Sequence, residues 1–165
     1  MDQMKFEGGS IESLESLMPA LREVFTRHDV DLAYLYGSQA RGDTGPLSDV
    51  DVAVLFSSDI SKSERFEQQL LLIGELMSIF KRSDVFMADL DDASPLLRHR
   101  VSHDGIVLYC TDDKIRVKFM TEALRDYVDT KPLRKIQLHY LVQRAEEGTF
   151  GRVRKNVTGD KESHG

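Results

Sequence analysis

Tryptophan is missing from this chain of 165 residues, and Cys110 is its single cysteine. One thiol cannot build an intrachain disulfide framework, which excludes the small stapled scaffolds of secreted proteins and fits a reducing cytosol. No apolar run approaches the ~20 residues needed to cross a bilayer. The opening MDQMKFEGGSIE has no basic segment followed by an apolar core, so no signal peptide is expected. These absences predict a cytoplasmic protein. Positive charge is also in deficit, with a net charge of −6, which argues against nonspecific binding to a nucleic-acid backbone.

What is present suits one soluble globular domain, with 41% hydrophobic and 30% charged residues. The basic residues concentrate between Lys114 and Lys155, which suits either a solvated helix or a docking surface for a partner. Leu14, Leu17, Met18, Leu21, Val24, Phe25 and His28 recur at helical spacing, and Pro19 predicts a kink there or a helix that begins near Leu17. The run DLAYLYGS predicts a strand ending at Gly37, and residues 39–48 predict a loop. DVDVAVLF alternates, with Asp49, Asp51, Ala53 and Leu55 on one face and Val50, Val52, Val54 and Phe56 on the other. Ser61 and Glu64 have capping-box spacing and open a helix whose expected apolar stripe is Phe66, Leu70, Ile73, Met77 and Phe80. A strand over 83–90, a short helix from Ser94 through His103 and a strand over 105–110 follow. Two helices then run from about Asp112 to Glu147, with a break expected at Pro132 and an end at Gly148. The result is an α+β fold, a small mixed sheet with helices packed on it. The expected organisation is a core over 1–110, a helical extension of the same domain over 111–150, and a disordered tail over 156–165.

Two acids on one face of a strand are costly to desolvate without partners. Side chains two residues apart on a strand lie about 7 Å from each other. That spacing suits Asp49 and Asp51 to share a divalent cation, and Mg2+ is typically held by one or two carboxylates plus substrate phosphates. Acids at a solvated strand start would look the same, so the neighbourhood decides. Gly37 and Ser38 end the preceding strand; glycine admits a phosphate close to the backbone, and serine can donate a hydrogen bond to it. Arg41 could neutralise phosphate or fix the loop through carbonyls, and Ser48 would order the turn before Asp49. Gly42 and Gly45 are expected to form turns. Tyr34 and Tyr36 are expected to pack, and His99 and His103 to be surface residues. The Arg134–His139 spacing, although it occurs in HEPN ribonucleases, is read as chance.

Residues 37–56, GSQARGDTGPLSDVDVAVLF, resemble the signature of the DNA polymerase beta-like nucleotidyltransferase superfamily. The resemblance is closest to its minimal nucleotidyltransferase (MNT) branch, with a Gly-Ser-x-Ala-Arg-Gly opening and a Ser-Asp-x-Asp close. The element order from about residue 14 to 110 fits more loosely. The resemblance implies a polymerase beta palm-like core with C-terminal helices. It implies that Gly37 and Ser38, with Arg41, hold the phosphates of ATP and that Asp49 and Asp51 hold Mg2+, two ions being expected. A third carboxylate, as metal ligand or general base, is expected from the next strand; Asp84 is the candidate, Asp89 the weaker alternative, and Asp91 and Asp92 are loop residues. The implied activity is transfer of AMP to a tyrosine of a HEPN-family toxin, for which the chain would be the antitoxin, alone or in an oligomer. Two alternatives stay open, a module that masks the toxin without catalysis and a transferase for a small molecule such as an aminoglycoside.

Overall fold

The computed structural model describes residues 14–41 and 48–147, apart from the side chains of Gln39 and Arg41. The expectations for Gly42, Gly45, Gly148, the tail and the Arg41 side chain lie outside what is described.

Helix α1 spans Leu14–Arg27 and runs through Pro19. The proline removes one backbone bond, the one to the carbonyl of Glu15, and the helix continues past it. Strand β1 is Val30–Tyr36, and Ser38–Arg41 forms a single helical turn, α2, where a loop was expected. Gln, Ala and Arg are all good helix formers, and the local run outweighs the glycines that follow. Strand β2 is Val50–Phe56.

Helix α3, Lys62–Phe80, begins at the expected capping box, in which Ser61 and Glu64 bond each other's backbone N–H. It ends at Lys81 in the left-handed conformation, φ 53°. Its buried stripe is Leu72, Leu76 and Phe80, whereas Phe66 and Leu70 are 61% and 59% exposed. The run Leu70-Leu71-Leu72-Ile73 is apolar all round and leaves the phase of the helix open. The inward face of its first half is settled instead by Arg65 and Gln69, which reach Asp89 and Asp91.

Strand β3 (Val85–Asp89), helix α4 (Pro95–Asp104), strand β4 (Ile106–Cys110) and helix α5 (Asp113–Asp129) follow. The next helix break falls at Thr130, and Pro132 lies in the first turn of α6, Lys131–Glu146, a position that tolerates proline.

The sheet order is β3-β2-β1-β4. β1 pairs antiparallel with β2 and β4, and β2 pairs parallel with β3 across α3. The two faces of β2 feed two cores. Val50, Val52, Val54 and Phe56 pack with Leu17, Leu21 and Phe25 of α1 and Leu72, Leu76 and Phe80 of α3. On the other face Ala53 joins Leu32, Tyr34, Val101 of α4 and Phe119 of α5. The chain divides into two compact units between Val128 and Asp129. In the second, α6 has no buried residue. No helix among the described residues is long and apolar enough to cross a membrane.

Candidate active site

The pairing of β1 with β2 brings the two ends of the 37–51 segment together. Tyr36 is the register partner of Asp51, so both side chains stand on the same face at one end of the sheet. Gly37 follows with φ 75°, a conformation open to glycine at little cost. A Cβ at Gly37 would collide with Oδ2 of Asp51 and lie 3.3 Å from its carboxyl carbon. The carboxylate therefore lies over the bare backbone of Gly37, and any larger residue would displace it. Ser38 starts α2 beside this contact and is half-buried.

Asp51 is half-buried and Asp49 exposed. Burial, and then the negative charge of Asp49, hold the Asp51 carboxyl above the usual carboxylate range. Burial and then Asp51 likewise raise the Tyr36 hydroxyl, which stays a neutral donor. Tyr36 therefore does more than pack, because its half-buried ring borders the site. Tyr34 meets the packing expectation, fully buried with its ring centroid 6.2 Å from that of Phe119.

Asp84 stands one residue before β3 instead of inside it. The parallel register pairs Val50 with Val85, which sets Asp84 alongside Asp49, and the Val50 N–H donates to the Asp84 carbonyl at 3.0 Å. Its carboxylate is gripped by Arg82, whose Nε donates to Oδ1 at 2.7 Å and whose Nη2 donates to Oδ2. These bonds hold the Asp84 carboxyl below its usual range. The same Nη2 donates to the Ser48 carbonyl at 2.7 Å. Arg82 went unsuspected in the sequence; the only signal was its position two residues before Asp84.

Asp89 lies at the other end of β3, its side chain 7% exposed. It accepts from Gln69 Nε2 at 2.6 Å and from the Asp91 N–H at 2.9 Å. Burial is the main cause that raises its carboxyl. Asp91 pairs with Arg65 at 2.8 Å, and Asp92 is exposed. His99 stacks on Tyr127, centroids 4.1 Å apart, and on His103 at 5.8 Å. Among the described residues no three His, Cys, Asp or Glu side chains form a cluster that could hold a metal by themselves.

The arrangement offers two adjacent carboxylates, a bare backbone at Gly37, a serine hydroxyl and a phenol. The family pattern of polymerase beta nucleotidyltransferases matches residues 20–114. A protein adenylyltransferase MntA from Aphanizomenon flos-aquae (strain 2012/KM1/D3) is 32% identical over 130 residues, which cover 72% of this chain and 85% of that protein. A crystal structure of a toxin–antitoxin with AMP-PNP contains a chain 25% identical with TM-score 0.60, covering 73% of this chain and 94% of that one. A tri-AMPylated Shewanella oneidensis HEPN toxin in complex with MNT antitoxin supports the same fold, at TM-score 0.60 and 22% identity, over 78% and 98% of the two chains.

Proposed function

This chain belongs to the polymerase beta nucleotidyltransferase family, and on that premise we propose that it transfers AMP from ATP to a tyrosine of a cognate HEPN toxin, as its antitoxin. The observation that carries the reading is the contact of the Asp51 carboxylate with Gly37, which ties the acidic pair to the Gly-Ser turn in one site. Relatives bearing the names adenylyltransferase, toxin–antitoxin with AMP-PNP and AMPylated HEPN toxin support the acceptor and the nucleotide.

The donor set suits Mg2+. Two carboxylates, one just before β2 and one near its start, with phosphate oxygens to complete the shell, match the way this ion is commonly bound. Asp49 and Asp51 would hold it; Asp84, the expected third carboxylate, lies alongside Asp49 but is engaged by Arg82 and forms no three-acid cluster with the pair. When bound, it would neutralise phosphate charge as the transferred group moves. The protein's own contribution is placement. Gly37 lets the Asp51 carboxylate settle against its backbone beside the turn, and Ser38 offers a hydroxyl to the phosphates. Arg41, at the end of α2, is the candidate to neutralise phosphate charge. The toxin's tyrosine oxygen attacks the α-phosphorus in line, a new O–P bond forms, and the bond to pyrophosphate breaks. The hydroxyl proton leaves to a carboxylate of the site, and pyrophosphate carries away the departing charge.

The test is incubation of the chain with Mg2+, α-phosphate-labelled ATP and the cognate toxin, beside Asp51→Asn. Label on the toxin with wild type alone is the expected result. Silencing of the toxin by both forms, with no label on it, would replace transfer with masking. Label on neither protein, with pyrophosphate released only when an aminoglycoside is added, would move the acceptor to a small molecule.

A further inference from the structure

Asp49 precedes β2 by one residue, so the ladder of that strand does not by itself fix it. Yet it is bracketed on both sides. Before it, the Ser48 carbonyl accepts from Arg82 Nη2 at 2.7 Å; after it, the Val50 N–H donates to the Asp84 carbonyl at 3.0 Å. Both bonds come from the short segment 82–84, and the Arg82 guanidinium closes that segment on itself by its two bonds to the Asp84 carboxylate.

The segment is anchored in turn. Helix α3 ends in a left-handed Lys81 whose N–H bonds the Met77 carbonyl, and the Arg82 N–H bonds the same carbonyl at 3.1 Å. The Arg82 side chain is only 15% exposed, so its fork is held by its surroundings as well as by its bonds. The segment 82–84 thus links the end of α3 to both sides of Asp49, the guanidinium reaching Ser48 and the Asp84 carbonyl reaching Val50.

We infer that Arg82 is a positioning residue for Asp49: it extends the β2–β3 ladder past the strand ends and holds the backbone on both sides of Asp49 against the segment 82–84. The inference rests on the proposed assignment of Asp49 and Asp51 to the metal. Arginine is needed for its geometry, because a planar fork can grip a carboxylate with two nitrogens while one of them also reaches a carbonyl. Lysine offers one point of charge and cannot span both groups in the same way.

The test uses the full chain as wild type, Arg82→Lys and Arg82→Gln, with amide exchange by NMR and Mn2+ titration as readouts. In Arg82→Gln the Val50 amide is expected to exchange about tenfold faster or more, as for loss of a charge-assisted bond. Mn2+ affinity is expected to fall about 10- to 100-fold, the usual effect of removing a group that orients a metal ligand. Arg82→Lys should lie between, and it decides the matter if the glutamine variant fails to fold. Unchanged Val50 exchange and unchanged Mn2+ affinity in a folded variant would overturn the inference. A wild type that binds no Mn2+ would sink the metal assignment instead, while the metal-free exchange of Val50 would still decide whether Arg82 holds the strands.

Discussion

At Asp51 the needs of the fold and of the site pull in opposite directions. The burial that sets its carboxylate against Gly37 also disfavours its charge, and Asp49 adds repulsion. An acid whose pKa is higher in the folded than in the unfolded chain binds more protons when folded. The stability of the metal-free protein therefore falls as pH rises from the ordinary aspartate pKa through the raised one, and is level above it. Asp51→Asn removes this cost. At pH 7 and without metal the variant should melt about 2 °C higher than wild type, although transfer is abolished. Mg-ATP should raise the wild-type melting temperature and leave that of the variant nearly unmoved, because a ligand stabilises only the state it binds. Differential scanning calorimetry with and without Mg-ATP checks both points. A metal-free variant that melts lower would mean that Asp51 makes a structural bond worth more than its charge costs.

Helix α3 shows at the level of the element what the sequence reveals and what it hides. Its start was legible because capping is local chemistry, two side chains bonding two nearby N–H groups. Ser61→Ala should cost about 1 kcal/mol in urea unfolding and leave AMP transfer unchanged, since the cap lies on the far side of α3 in sequence from Arg82. A loss of transfer at full stability would tie the helix start to the site in a way its bonds do not suggest. The buried face of α3 was legible at its end, where Phe80 is buried and Met77 packs on the core, but not in its first half, because four consecutive apolar residues fit several phases and distant partners, Asp89 and Asp91, turn that half inward. The alternation of β2 was readable for the opposite reason: its period is strict, and each of its faces has its own core. The Gly-Ser and Asp-x-Asp motifs were visible as letters. Their union depends on the Tyr36–Asp51 register, which follows from strand pairing. Arg82 stayed hidden because its bonds reach 34 residues back to Ser48.

On the scale of the whole molecule, the second unit poses a problem of solvation. Helix α6 has no buried residue, and Leu133, Ile136, Leu138, Tyr140 and Leu141 are between 47% and 61% exposed. A helix of 16 residues is marginal in water without a packed face. One that is apolar on several sides normally meets a partner. Lys131, Arg134, Lys135 and Arg144 give α6 a local basic excess in a chain of net charge −6. Under the proposed function, the toxin is the partner that would cover this helix, by apolar anchors with charge at the rim. Leu138→Gln combined with Leu141→Gln should therefore weaken the complex with the cognate toxin about tenfold or more, the scale of losing central apolar contacts. The melting temperature of the isolated chain and its affinity for ATP should stay as they were, because neither side chain is buried in the free protein. Isothermal titration of toxin into the two forms measures the difference. Equal affinities would move the docking surface to the first unit, where Val117, Met120 and Leu124 leave an exposed apolar stripe at helical spacing along α5.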